Sequence, residues 1–293
     1  MNVKRFYTGA ITRTVWILSL VSLLTDMSSE MLYPVMPLYL KSIGFSVVLI
    51  GILEGFAEAT AGFSKGYFGN LSDTKGKRLP FVQLGYFFSA LSKPMMAIFT
   101  WPFWVFSART LDRLGKGIRT GARDALLSDE ATSETKGTVF GFHRSMDTAG
   151  AAIGPIVALG FLYFFPGHYK TLFYLAFIPG LLGVFTTFFV KEKQKKVPAY
   201  SKKVGFFSFL KYIPNSRREY RILLAGLLAF TLFNSSDVFL LLMLKHRGFS
   251  DAQMIVAYIF YNLVYAAFAY PLGILADKFG LKKMFITGLA IFS

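Results

Sequence analysis

Long apolar segments separated by short polar turns run the length of the chain. A bilayer crossing needs about 20 mostly apolar residues. Candidates fall near 14–40, 46–70, 79–99, 101–125, 137–164, 169–190, 221–244, 251–275 and 283–293, the last cut short. Hydrocarbon offers no water to backbone groups, so segments of this length are predicted helical. The expected fold class is all-α, a polytopic membrane protein. Residues 1–190 are read as a six-span N-terminal bundle, 191–220 as a cytoplasmic linker, and 221–293 as a partial C-terminal bundle holding spans seven to nine.

The linker has its own pattern. Phe206, Phe209, Leu210 and Ile213 recur at helical spacing, with Lys202, Lys203 and Lys211 close by. This reads as a short amphipathic helix in the cytoplasmic headgroup layer, or as a disordered basic linker with scattered aromatics.

Composition sharpens the membrane reading. Hydrophobic residues make up 54% of the chain and charged residues 16%, too apolar a balance for a soluble domain with runs this long. The formal charge of +16 would suggest nucleic acid in a soluble protein. Here the basic residues gather in alternate connectors. Lys4, Arg5 and Arg13 precede the first span. Lys75, Lys77 and Arg78 follow the second, Lys191, Lys193, Lys195 and Lys196 the sixth, and Lys278, Lys282 and Lys283 the eighth. Thr100–Pro102 and Pro166–His168 carry no Lys or Arg. This bias places the N-terminus and every even-to-odd connector in the cytoplasm, and no nucleic-acid partner is expected. No small-residue cleavage site follows the first apolar run, so 14–40 is read as a retained span. The chain has no cysteine, which excludes disulfides and thiolate metal sites.

A turn repeats between the halves. Gly69-Asn-Leu-Ser-Asp73-Thr-Lys-Gly76-Lys77-Arg78 recurs about 200 residues later as Gly273-Ile-Leu-Ala-Asp277-Lys278-Phe-Gly280-Leu-Lys282-Lys283. Ser28-Ser29-Glu30 leading to Gly44-Phe45-Ser46 is matched by Ser235-Ser236-Asp237 leading to Gly248-Phe249-Ser250. The repeated turn resembles the signature of the major facilitator superfamily, Gly-x-x-x-Asp-(Arg/Lys)-x-Gly-x-(Arg/Lys)-(Arg/Lys). The second copy fits well; in the first, Thr74 replaces the usual basic residue. The resemblance implies a major facilitator fold, a transporter working by alternating access, and a conformational latch at these turns. A pure topology signal is the plainer alternative. The family has twelve spans, so the reading is a truncated transporter or a fragment of one, whose activity alone is open.

Ionisable residues within spans are costly and so become functional candidates. Asp26, Glu30 and Tyr33 share a face of the first span with Pro37. Glu54, Glu58 and Lys65 share a face of the second. Arg109, Asp112, Arg113, Lys116 and Arg123 form a stripe on the fourth, with Arg119 at its edge. His143 and Asp147 share a face of the fifth with Gly150 and Gly154, while Arg144 is expected to point elsewhere. Lys93 is placed in the outer half of the third. The near-balance of acids and bases fits either a static salt-bridge lattice or a polar cavity where protons and substrate meet.

The proton-coupling candidates are Asp26, Glu30, Glu54, Glu58, Asp147 and His143; a lone histidine is more often a hydrogen-bonded structural residue than a shuttle. The substrate-binding candidates are Arg109, Asp112, Arg113, Lys116 and Tyr33. Arg109, Gly115 and Gly117 resemble the family's fourth-span motif, though Arg113 and Lys116 depart from it. Asp26 before Pro34-Val-Met-Pro37, and Gly150-x-x-x-Gly154-Pro155, resemble drug–proton antiporters, the latter without its closing glycine pair. That resemblance implies proton-coupled efflux of small organic molecules from a bacterial inner membrane. Uptake or exchange of an organic anion on the cationic fourth span is the alternative, and a truncated inactive fragment a third. No HExxH, Gly-x-Ser-x-Gly or Gly-x4-Gly-Lys-(Ser/Thr) occurs, so neither an enzyme nor a cofactor is expected.

Overall fold

The computed structural model describes residues 9–192, 205–233, 243–244 and 246–292. Lys4, Arg5, Lys193, Lys195, Lys196, Lys202, Lys203, Ser235, Ser236 and Asp237 lie outside the described residues.

The described residues form helices and no strand. The first predicted span is split. Helix α1 (Arg13–Glu30) stops, and α2 (Met36–Ser42) restarts after a turn. Pro34 sits in that turn and Pro37 in the first turn of α2; proline lacks the N–H that a continuous helix needs. The second to sixth spans are α3 (Val47–Lys75), α4 (Leu79–Ile98), α5 (Pro102–Glu130), α6 (Lys136–Phe164) and α7 (Tyr169–Thr187). In the linker a 3₁₀ turn (Ser208–Lys211) runs into α8 (Tyr212–Asn215), so between residues 205 and 217, all described, regular structure is these two short turns. They lean on the second span: Phe206 packs on Tyr67, Phe207 on Phe63, and Asn70 donates to Ser208 at 3.0 Å. Then follow α9 (Arg218–Phe233), α10 (Asp251–Phe279) and α11 (Leu281–Phe292). By length and composition, four described helices are apolar enough to cross a membrane: α3, α6, α7 and α10.

The repeat turns out to be a repeat of helix punctuation. Gly44 and Gly248 take positive φ (93° and 89°), and Ser46 and Ser250 cap the helices that follow. Those helices, α3 and α10, both run 29 residues and both stop at a positive-φ glycine, Gly76 or Gly280. The repeated turn is thus largely helical. Gly69, Asp73, Gly273 and Asp277 lie on the last turns of their helices.

Helix α1 packs between α6 and α7, α4 between α5 and α7, α3 against α5, and α10 against α6. Glycines permit the closest crossings. A Cβ on Gly117 would strike Ala61 and Ser64 of α3, and one on Gly141 would strike Ala269 and Gly273 of α10. Two apolar clusters form the interior. One, around Tyr39, Leu53 and Phe173, lies toward the 99–101 and 165–168 connectors. The other, around Val15, Tyr86 and Leu127, lies toward the opposite end. Phe99, Trp101, Phe103, Tyr163 and Phe164 are exposed around the former end, as aromatic residues are at a membrane interface.

Candidate functional site: a charged layer and a cavity

Between the two apolar clusters lies a layer of charge. Arg109 makes a bidentate pair with Glu54, Nε to Oε1 at 2.9 Å and Nη2 to Oε2 at 2.8 Å. Its third nitrogen reaches Asp112 at 3.4 Å. Lys93 Nζ donates to the other Asp112 oxygen at 2.9 Å and to Ser29 at 3.3 Å. Lys93 is thus a buried counter-ion within the charged layer. Arg113 Nε stands 3.3 Å from Glu58, an ion pair by distance without hydrogen-bond geometry. The i, i+3, i+4 stripe on α5 therefore meets acids one turn apart on α3, held close by Gly117 against Ser64.

Beside this layer is a cavity of about 430 Å³, walled by α1, α3, α5, α6 and α10. Asp26, Glu30, Asp112, Arg113, Lys116 and Asp147 all line it. Asp26 and Asp147 face the cavity together. Ser22 also donates to Asp147. Arg144, expected to point away, lines the cavity, because its guanidinium turns one helical turn along α6 to Asp147 at 2.8 Å. Tyr33 stacks on Tyr258 at 6.0 Å between ring centres. His143 does not line the cavity; it is buried, with Nδ1 3.4 Å from Ser19 and Nε2 without a partner.

Sequence reasoning passed over the α10 side of the cavity. Tyr258 donates to Glu30 at 2.9 Å, and Arg144 donates to Tyr265 at 3.2 Å with its guanidinium over the ring. Tyr258, Tyr261, Asn262 and Tyr265 recur at helical spacing in an apolar segment, and that polar stripe was the available signal.

The two latch turns lie at one end of the molecule. Asp277 accepts from the amides of Gly137 and Thr138, both at 2.6 Å, and from the Thr138 hydroxyl at 2.7 Å. A carboxylate is thereby held at the positive end of α6. Gly273 makes the closest approach of α10 to Gly137 and Gly141. Asp73 instead pairs with Arg78 at 2.7 Å, and Arg78 also binds Asp129. Gly69 nears Gly121 of α5. Glu192, beyond α7, accepts from the amides of Arg78 and Leu79 and so caps α4. Lys77, Lys278, Lys282 and Lys283 are exposed.

A bundle of long apolar helices around a charged cavity, with glycine-spaced acidic turns at one end, defines a polytopic transporter. The sequence matches the Major Facilitator Superfamily over residues 18–293, and the chain belongs to that family. It is 33% identical over 288 residues to an uncharacterized MFS-type transporter of Methanocaldococcus jannaschii, covering 96% of this chain and 71% of that protein. An uncharacterized protein of Mycobacterium tuberculosis is 26% identical, covering 64% of this chain and 46% of its own. Among solved structures, the human organic anion transporter MFSD10 (TETRAN) aligns with a TM-score of 0.69 at 18% identity, over 89% of this chain and 72% of that one. The chain is an integral, multi-pass membrane protein of a transporter family.

Proposed function

We propose that the chain is a proton-coupled secondary transporter of small organic molecules working by alternating access. The observation that carries this reading is that Asp26, Glu30 and Asp147 line one cavity, with Glu30 bonded to Tyr258 of α10. Carboxyls crowded into one site do not all ionise together, which leaves a place for a proton. Asp26 and Asp147 form the proton site, and Glu30, bonded to Tyr258 of α10, senses it. Arg109 and Arg113 serve as counter-ions to Glu54, Glu58 and Asp112. Asp277 on the α6 terminus is the conformational latch. The charge bias supports a cytoplasmic N-terminus, and the carrier chemistry suits a bacterial inner membrane.

Export rests on the antiporter-like motifs of the first and fifth spans. Gly150 and Gly154 also have a plain packing role, since side chains there would strike Leu23, Met27 and Met31 of α1. A second reading, proton-linked movement of an organic anion, is favoured by cavity cations, Lys65, Lys116 and Arg119, for which no ion pair is found among the described residues. Proteoliposomes with an imposed pH gradient test the coupling. Asp26→Asn and Asp147→Asn are expected to abolish gradient-driven flux and to spare substrate binding. Gradient-driven flux at the parent rate in both variants would return these acids to a structural role.

A further inference from the structure

The cavity's cations divide into two sets. Arg113, Arg123 and Arg144 each stand against a carboxylate, at 3.3, 2.9 and 2.8 Å respectively. Lys65, Lys116 and Arg119 also line the cavity, yet among the described residues no carboxylate oxygen lies within 4.0 Å of any of them. Arg119 is 6% exposed. Its one hydrogen bond goes to Ser89 at 2.6 Å, and its guanidinium lies 4.6 Å from the centre of the Tyr86 ring. A desolvated cation held by a hydroxyl and a ring keeps most of its charge available to a ligand.

All three line the one cavity. Lys116 and Arg119 sit one turn apart on α5. Gly117 lets α3 approach until a Cβ there would lie 3.2 Å from the Lys65 amide. The other cavity wall is aromatic: Tyr258, Tyr261 and Tyr265 on α10. The volume of about 430 Å³ suits a small molecule, since ligand pockets run to about 300–1,000 Å³.

We propose that Lys65, Lys116 and Arg119 form the anion-binding end of the substrate site, and that the α10 tyrosines take the ring of a small aromatic carboxylate. This rests on the transporter reading and moves the anion site off Arg109 and Arg113, whose charges Glu54, Glu58 and Asp112 already meet. The ligand's carboxylate supplies the direct ion pair that these cations do not make within the protein, and its ring stacks where a tyrosine face is offered.

Binding can be measured apart from transport. The purified chain in phosphatidylcholine nanodiscs is titrated with radiolabelled benzoate. Saturable binding is expected, displaced by unlabelled benzoate but not by benzamide or benzylammonium. Lys65→Gln and Lys116→Gln are each expected to weaken it about tenfold, the loss typical of one charged hydrogen bond. Lys65→Arg and Lys116→Arg should retain it and show that the site still folds. Benzamide competing as well as benzoate, or undiminished binding in the Lys65→Gln/Lys116→Gln double variant, overturns the proposal. So does benzoate binding that vanishes once phosphatidylglycerol is included, which would give the cations to lipid headgroups. Binding without flux in proteoliposomes would count against the carrier reading and leave the site standing.

Discussion

Arg109 shows how a single residue can be held in two roles by its sequence and in one by its partners. In the stripe along α5 it is one cation among several. In the fold all of its directional bonds go to Glu54 and Asp112, and it is 8% exposed. Removing one member of such a pair strands the other charge, a cost of about 3–5 kcal/mol for a buried pair. Glu54→Gln and Arg109→Met should each lower the thermal unfolding temperature of the purified protein sharply. The double variant should recover much of the loss, because two neutral side chains leave no stranded charge. Additive losses would show that Glu54 and Arg109 act on stability separately. Asp277 is a different case: its value lies in three donors converging on one carboxylate. Asp277→Asn keeps the shape and removes the charge. The expected loss at that contact is about 1.5–3 kcal/mol. The chain has no native cysteine, so spin labels at Lys136 and Lys278 can report it without background. The label-to-label distance distribution should broaden and lengthen in the variant.

At the scale of the element, glycine decides which helices meet. Helix α10 approaches α6 along Gly137, Gly141 and Gly273, where an added Cβ has no room. Gly273→Leu should detach α10 from α6, seen as new protease cleavage near 246–250 with the first six spans still protected. Intact resistance would mean that Asp277 alone suffices. This scale also shows what could be read in advance. Helix positions and the repeat were legible, because apolar length and positive-φ glycines such as Gly44 and Gly248 act locally. The break at Pro34 was legible too, yet the length of the apolar run hid it. The pairing of Lys93 with Asp112 and the turn of Arg144 toward Asp147 were not, since both depend on which helices become neighbours. The same holds for Tyr258: its spacing marked a polar face, but nothing local said that Glu30 would receive it.

For the whole molecule, the proposed orientation and coupling can be tested at two of the ties between α10 and the first six spans. One tie, Asp277 on α6, sits at the end the charge bias assigns to the cytoplasm. Single cysteines at Lys77 and Lys282 should therefore label only from the cytoplasmic side, and one at Trp101 only from the other. The second tie, Tyr258 on Glu30, sits mid-span on the cavity that Asp26 and Asp147 also line. A proton moving among these acids changes the charge that Tyr258 faces, so α10 has a reason to shift when the proton does. Tyr258→Phe tests this with one atom. The ring remains to stack on Tyr33, and only the hydroxyl is lost. Gradient-driven flux should fall by about tenfold, the rate equivalent of the roughly 1.4 kcal/mol within reach of one hydrogen bond to a charged group. Benzoate binding should stay within about twofold of the parent, because the ring at 258 and the three cations are all retained. Equal losses of flux and binding would mean that Tyr258 shapes the cavity instead of linking its protonation to the movement of α10.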